Sequence, residues 1–179
     1  MRKKLTCFFI AALAVSGSAM SDTVIVRTLY QSMFGNRAQV IDGKVIRIAD
    51  GDTVTLLDSG KQQYRIRLLG IDAPEKAQAY GTRSRQNLSD LVFNKDVQAD
   101  CIGQDRYNRR LCKILVNGVD VNLEQVKAGF AWHYKRYQNS QTSSDRKAYA
   151  KAEQDAKNAR RGLWNDPSPV APWSFRRRQ

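Results

Sequence analysis

From Gln39 onward, short runs of β-favouring residues alternate with turn dipeptides, the pattern of a small β-barrel or sandwich. Val45-Ile46-Arg47-Ile48 and Thr53-Val54-Thr55-Leu56 flank Asp50-Gly51, a tight-turn pair, and Ser59-Gly60 separates the second run from a third at residues 63–71. Within that third run, alternation puts Tyr64, Ile66 and Leu68 on one face and Arg65, Arg67 and Leu69 on the other. After a polar loop, Leu88, Leu91 and Val92 recur at helical spacing within residues 82–93. Residues 97–102 and 111–116 then read as two more strands, closed by the Asn117-Gly118 turn. A short helix is predicted over 121–128, ended by Gly129. A longer one is predicted over 144–161, with a Ser/Asp cap, Ala148, Ala152, Ala156 and Ala159 along it, and a stop at Gly162.

Five strands interrupted and followed by about three helices predict an α+β fold: a five-stranded barrel of the oligonucleotide-binding type with helices packed on it. The domain is placed at residues 39–166. Residues 167–179 read as a proline-broken basic tail ending in Arg176-Arg177-Arg178, a solvated tail with added attraction for nucleic acid as the alternative, and not a site.

The chain's beginning has the three parts of a secretory signal: basic Arg2-Lys3-Lys4, an apolar run from Leu5 to Val15, and small residues up to Ala19, after which cleavage is expected. The apolar run is shorter than the roughly 20 residues a bilayer span requires, so no stable membrane anchor is expected. Residues 20–38 form an arm to which no role is assigned. Cys7 leaves with the signal, so Cys101 and Cys112 remain as a pair in a compartment that permits disulfides, either the periplasm or the outside of the cell.

With 179 residues of which 42% are hydrophobic, the chain can build one domain with a core, and a second full domain is not expected. Thirty Lys and Arg against 17 Asp and Glu give a formal charge of +13, and loss of the signal removes only three of these positive charges. Such a balance favours a polyanionic partner, because cations that neutralise phosphates release condensed counterions. Charge alone leaves nucleic acid, anionic membrane and cell-wall polymer open.

In so basic a chain the acids Asp50, Asp52, Asp72 and Glu75 stand out, at a turn and at a strand end, interleaved with Arg65 and Arg67. Carboxylates from two separate loops suit a hard cation such as Ca²⁺, with backbone oxygen and water completing the shell. An arginine on the intervening strand would grip phosphate beside that cation. His133 is the sole histidine and lies far from these acids in sequence, so schemes built on paired histidines have no material here, and a role in packing or in solvent is expected for it.

The order and spacing of three segments are more specific than any one of them. Asp50-Gly51-Asp52-Thr53-Val54, then Arg67-Leu68-Leu69-Gly70-Ile71-Asp72-Ala73-Pro74-Glu75, then Asp105-Arg106-Tyr107-Asn108-Arg109 closely resemble the motifs of the staphylococcal nuclease (thermonuclease) family. The resemblance runs from about Val45 to Trp164.

The resemblance implies a barrel with helices, one Ca²⁺, and hydrolysis of phosphodiester bonds in DNA and RNA that leaves 3′-phosphate ends. Single strands are the expected preference and a monomer the expected state. By position, Asp52 and Asp72 would bind the cation with the Ala73 backbone carbonyl, and Asp50 would stand in the outer shell. Glu75 would hold or deprotonate the attacking water. Arg67 and Arg109 would bind the scissile phosphate, a task that suits a bidentate, permanently charged fork. Asp105, Arg106 and Tyr107, together with Tyr137 or its neighbour Tyr134, would lie on the nucleotide side. The family commonly has lysine at Arg106 and glycine at Asn108. Cys101 ends one predicted strand and Cys112 begins the next, so a cross-strand disulfide there would brace the loop that carries Arg109.

Overall fold

The computed structural model describes residues 39–178. The expected signal segment, the arm at 20–38 and Gln179 lie outside the described residues. In chain order the elements are β1 (Gln39–Asp50), β2 (Thr53–Leu57), β3 (Gln63–Leu68), β4 (Ile71–Asp72), α1 (Gly81–Val92), β5 (Asp96–Gln104), β6 (Arg110–Val116), β7 (Val119–Asp120), α2 (Val121–Lys127), β8 (Trp132–His133), α3 (Ser143–Asn158) and α4 (Pro172–Arg176). Short 3-10 turns at Lys135–Ser140 and Gly162–Asn165 link the last of them.

Five strands close into a barrel in the order β3-β2-β1-β5-β6, and a parallel β3–β6 pairing joins the two ends. This is the α+β barrel with packed helices that the spacing predicts. Val45, Val54, Leu56, Ile66, Ala99 and Ile114 fill its interior with no exposed surface. Burying each of the larger aliphatic chains is worth about 1.5–3 kcal/mol. Leu88 and Val92 carry one face of α1 into the same core.

β1 begins at Gln39, six residues before the run that the pattern marked as its start. Its first half pairs with β5 (Gln39↔Cys101 to Lys44↔Asp96) and its second half with β2 (Lys44↔Leu57 to Asp50↔Thr53). Asp42-Gly43 looks like a turn locally but lies inside one long strand, which passes from β5 to β2 at Lys44. The β1–β2 turn is also shifted by one residue from the predicted Asp50-Gly51: Asp50 pairs with Thr53, leaving Gly51 and Asp52 as the loop. Gly51 is required for approach, since a Cβ there would run into the Ser84 side chain on α1. At Asn117-Gly118 both residues have positive φ (50° and 78°), as a tight hairpin between β6 and β7 demands.

Thr142, not Ser144 or Asp145, caps α3, its hydroxyl accepting from the Asp145 N–H at 3.1 Å. The helix ends at Asn158, three residues short of the predicted Arg161. The chain leaves it so that Gly162 can meet Gly129 backbone to backbone, with the Leu163 N–H donating to the Gly129 carbonyl at 2.8 Å. Gly162 therefore serves a close contact and is not the helix stop.

α3 also carries the buried Glu153, which receives the His133 backbone N–H at 3.1 Å and the ammonium groups of Lys135 and Lys157 at 2.9 and 3.1 Å. It thereby holds β8, and β8 pairs with β4 through Asp72↔Trp132. Burial pushes the Glu153 carboxyl up, but the two lysines outweigh it and hold it below its ordinary value. A depressed carboxyl contributes stability above its unfolded pKa and loses it as pH falls through the folded one. Glu153→Gln is therefore expected to destabilise the protein by about 1–2 kcal/mol at pH 7. The difference should shrink below the ordinary value of 4.5. Urea unfolding of both proteins at pH 7 and in acid checks this.

Candidate active site

The β1–β2 loop, the end of β3 and β4 converge at one mouth of the barrel, and each brings a charged residue. Asp52 is fixed on every side. Its N–H donates to Asp50 Oδ1 at 3.0 Å, the Thr53 hydroxyl donates to its Oδ1 at 3.0 Å, and the Ala73 N–H donates to its Oδ2 at 2.7 Å. Arg67, opposite Thr53 in the β2–β3 register, reaches Asp52 Oδ2 at 2.8 Å with one nitrogen and Asp72 Oδ1 at 2.7 Å with the other. Asp52 is only 5% exposed and Asp72 not at all.

Burial first, and then the Asp52 charge, push Asp50 up to about 7. Burial also raises Asp72, against the pull of Arg176 and Arg67. The strand alternation expected from sequence places Arg67 correctly, with Ile66 and Leu68 inward and Arg65 out in solvent. Leu69 departs from that pattern, being buried just beyond the strand end.

Arg109 precedes β6, whose parallel pairing with β3 sets Arg67 opposite Leu111 and so brings the two arginines to the same rim. Its guanidinium donates to Asp105 Oδ2 at 2.7 Å and approaches the Thr53 hydroxyl at 3.4 Å, linking it to Asp52. Asp105 faces its own loop. It accepts the N–H groups of Tyr107 and Arg109 at 2.9 and 3.0 Å. Burial alone would raise its carboxyl, but these donors and the Arg109 guanidinium hold it below the usual range. The nucleotide side expected of Asp105 is thus occupied by its service to Arg109. Arg106 and Arg109 both lie over the exposed Tyr107 ring, at 4.8 and 5.4 Å. Asn108 has φ 60°, a left-handed conformation that asparagine tolerates, which explains how it stands where glycine is usual in the resembled family. The disulfide between Cys101 and Cys112 joins directly opposed residues of β5 and β6 below this loop.

Glu75 lies on a tight loop entering α1, with the Gln78 N–H donating back to its carbonyl at 2.8 Å. Its carboxylate is held by a residue the sequence reading dismissed. Arg176 donates to Glu75 Oε1 at 2.6 Å and to Asp72 Oδ2 at 2.7 Å. The tail is thus not simply solvated. Pro172 begins α4 and is buried, and Trp173 stacks on Tyr134 at 5.2 Å with 9° between planes. Proline at a first helical position followed by two aromatics was the available signal. Tyr134 and Tyr137 contact one another edge to face at 5.0 Å, so the two alternative tyrosines form one aromatic pair. His133 is buried, its Nε2 3.0 Å from Gln141 Oε1, with its pKa lowered by burial, in keeping with packing.

A family model described as "Staphylococcal nuclease homologue" matches residues 65–166. The chain belongs to the staphylococcal nuclease family. An uncharacterized endonuclease of Haemophilus influenzae is 41% identical over 136 residues, covering 76% of this chain and 73% of the relative. A micrococcal nuclease of Shigella flexneri is 40% identical over 144 residues, covering 75% and 80% respectively. This staphylococcal nuclease homologue has, among its described residues, no cluster of three or more His, Cys, Asp or Glu side chains arranged for a metal. What it offers a cation is the buried pair Asp52 and Asp72, hard oxygen donors whose negative charge is met in the structure by two guanidinium groups. That donor chemistry fits Ca²⁺ with backbone oxygen and water in the remaining positions. Among the described residues, no helix is long and apolar enough to cross a membrane.

The disulfide closes a short loop, with a sequence separation of 11. Replacing both Cys101 and Cys112 by alanine is expected to cost about 2–3 kcal/mol of stability. Denaturant unfolding of this variant beside the parent protein measures it.

Proposed function

We propose that this protein is an exported, calcium-dependent nuclease that hydrolyses phosphodiester bonds of DNA and RNA with little sequence preference and leaves 3′-phosphate ends. The observation that carries the reading is the Arg67 guanidinium held between the buried Asp52 and Asp72, with Arg109 on the same rim and Glu75 beside Asp72 through Arg176. A protein that only bound nucleic acid would have no need to bury acids beside the phosphate-gripping arginines. Family membership and relatives named as endonucleases point the same way.

In this reading Asp52 and Asp72, with the Ala73 carbonyl, hold the Ca²⁺ and Asp50 supports them from outside. When bound, the cation supplies Lewis-acid polarisation of a phosphoryl oxygen. Glu75 orients or deprotonates a water, whose oxygen adds to phosphorus as the bond to the 5′ oxygen breaks and that oxygen takes up a proton. Arg67 and Arg109 meet the charge that builds on the phosphoryl oxygens, each as a fixed fork. Asp105 keeps Arg109 aimed, and Tyr107, Arg106, Tyr134 and Tyr137 supply the aromatic and cationic surface for an unpaired strand. The formal charge of +13 draws the polyanion in. Export follows from the signal-like first residues, a bonded cysteine pair suits an oxidising compartment, and the protein acts as a monomer in the periplasm or outside the cell.

Degradation of single-stranded DNA in Ca²⁺, in Mg²⁺ and in excess chelator tests this, with Glu75→Gln and Arg109→Ala alongside. Cleavage is expected in Ca²⁺ with 3′-phosphate ends, and each substitution should slow it about 100-fold or more. Salt-sensitive binding without cleavage under any cation would leave a binding module instead.

A further inference from the structure

Asp72 and Glu75 are claimed by a residue that lies 104 and 101 positions away in the chain. Arg176 Nη2 reaches Asp72 Oδ2 at 2.7 Å, while its Nη1 reaches Asp72 Oδ1 at 3.2 Å and Glu75 Oε1 at 2.6 Å. Since Arg67 already takes Asp72 Oδ1 at 2.7 Å, both oxygens of this buried carboxylate carry guanidinium contacts. A divalent cation that uses Asp72 and the Arg176 guanidinium cannot share these oxygens. With Arg67 and Arg176 both on this carboxylate few of its lone pairs are left, and the Arg176 guanidinium, 2.7 Å from Asp72 Oδ2, stands where a cation on that oxygen would sit and repels it.

Arg176 is delivered by a docked scaffold. Trp173 stacks on Tyr134 and meets Trp132 edge-on at 5.4 Å. The Gln78 side-chain amide donates to the Val170 carbonyl at 2.5 Å, which ties the segment to the loop that also carries Glu75. The segment therefore covers two parts of the site together, the acids by Arg176 and one face of the Tyr134 ring by Trp173. Its neighbour Arg177 turns to the Ser174 hydroxyl at 3.4 Å, so the contact belongs to one position and not to basic charge in general.

We propose that residues 170–178 are an autoinhibitory strap: Arg176 occupies Asp72 and Glu75 in the cation-free protein, and calcium displaces it, releasing Trp173 from Tyr134 and uncovering the nucleotide face. The proposal rests on the reading of Asp52 and Asp72 as cation ligands. Cation loading and opening are then one equilibrium, and the protein's apparent calcium affinity is its intrinsic affinity reduced by the fraction of molecules with the strap open.

Calorimetric titration of the full mature protein with calcium chloride measures that fraction without any substrate. With the strap open in about a tenth of molecules, Arg176→Ala should bind calcium roughly tenfold tighter than the parent, and Arg177→Ala, which removes the same charge, should stay within about twofold. Trp173→Ala should move the affinity in the same direction as Arg176→Ala, since it loosens the strap without touching the acids. Amide hydrogen exchange across 171–178 should speed up when calcium saturates the parent protein. Equal affinities for Arg176→Ala and Arg177→Ala, or exchange at 171–178 unaltered by calcium, would overturn the strap while leaving the cation site standing. No calcium binding by any of the four proteins would remove the cation site and the strap together.

Discussion

The Arg67 guanidinium sits between Asp52 and Asp72, 2.8 Å from one and 2.7 Å from the other, in a place where both carboxylates have almost no contact with water. Stripping water from an ionised carboxylate costs several kcal/mol, and only a well-placed cation with further hydrogen bonds offsets it. Each partner comes from a different piece of backbone: the β1–β2 loop, β3 and β4. The ion pairs can form only when those three pieces are in register, so the geometry of the site and the closure of this end of the barrel are one constraint. Asp50 beside them is pushed up to about 7, first by burial and then by the Asp52 charge.

The remainder of the fold keeps that constraint in place from outside. Parallel pairing of β3 with β6 requires a long crossover between them, and the crossover is used to build Asp72, Glu75 and α1 before the chain returns at Arg109. The Gln125 side chain donates to the Gly51 carbonyl at 2.7 Å and so holds the Asp52 loop from the helix side. Asn122, also fully buried, donates to the carbonyls of Leu69 and Cys112 at 3.1 and 3.0 Å and ties the end of β3 to β6. Buried amides of this kind are placed by the backbone groups they satisfy, and their loss would leave those groups without partners.

What could be read from the chain follows the range of each interaction. The strand alternation that sends Arg67 to the rim and the Asn117-Gly118 turn are local, and each stands in the structure where the pattern puts it, whereas the Asp50-Gly51 turn is displaced by one residue. The first half of β1 was hidden because its partner, β5, lies some fifty residues on, and Asp42-Gly43 has the local look of a turn. Gly162 was read as a helix stop because a glycine after an alanine-rich helix usually is one, whereas its contact with Gly129 is visible only in space. Arg176 was the least legible of all. Three arginines after a proline-rich stretch have the composition of a solvated tail, and nothing near them in sequence reveals the acids that Arg176 meets.

A closed barrel also limits the sheet edge that this chain offers to its own copies. Each of the five barrel strands pairs with two others, although β1 does so in halves, the first with β5 and the second with β2. The two-residue strands β4, β7 and β8 are too short to template another chain. A barrel joined end to end in this way leaves only short lengths of unpaired strand, so a second copy of the chain finds little backbone on which to add a strand of its own.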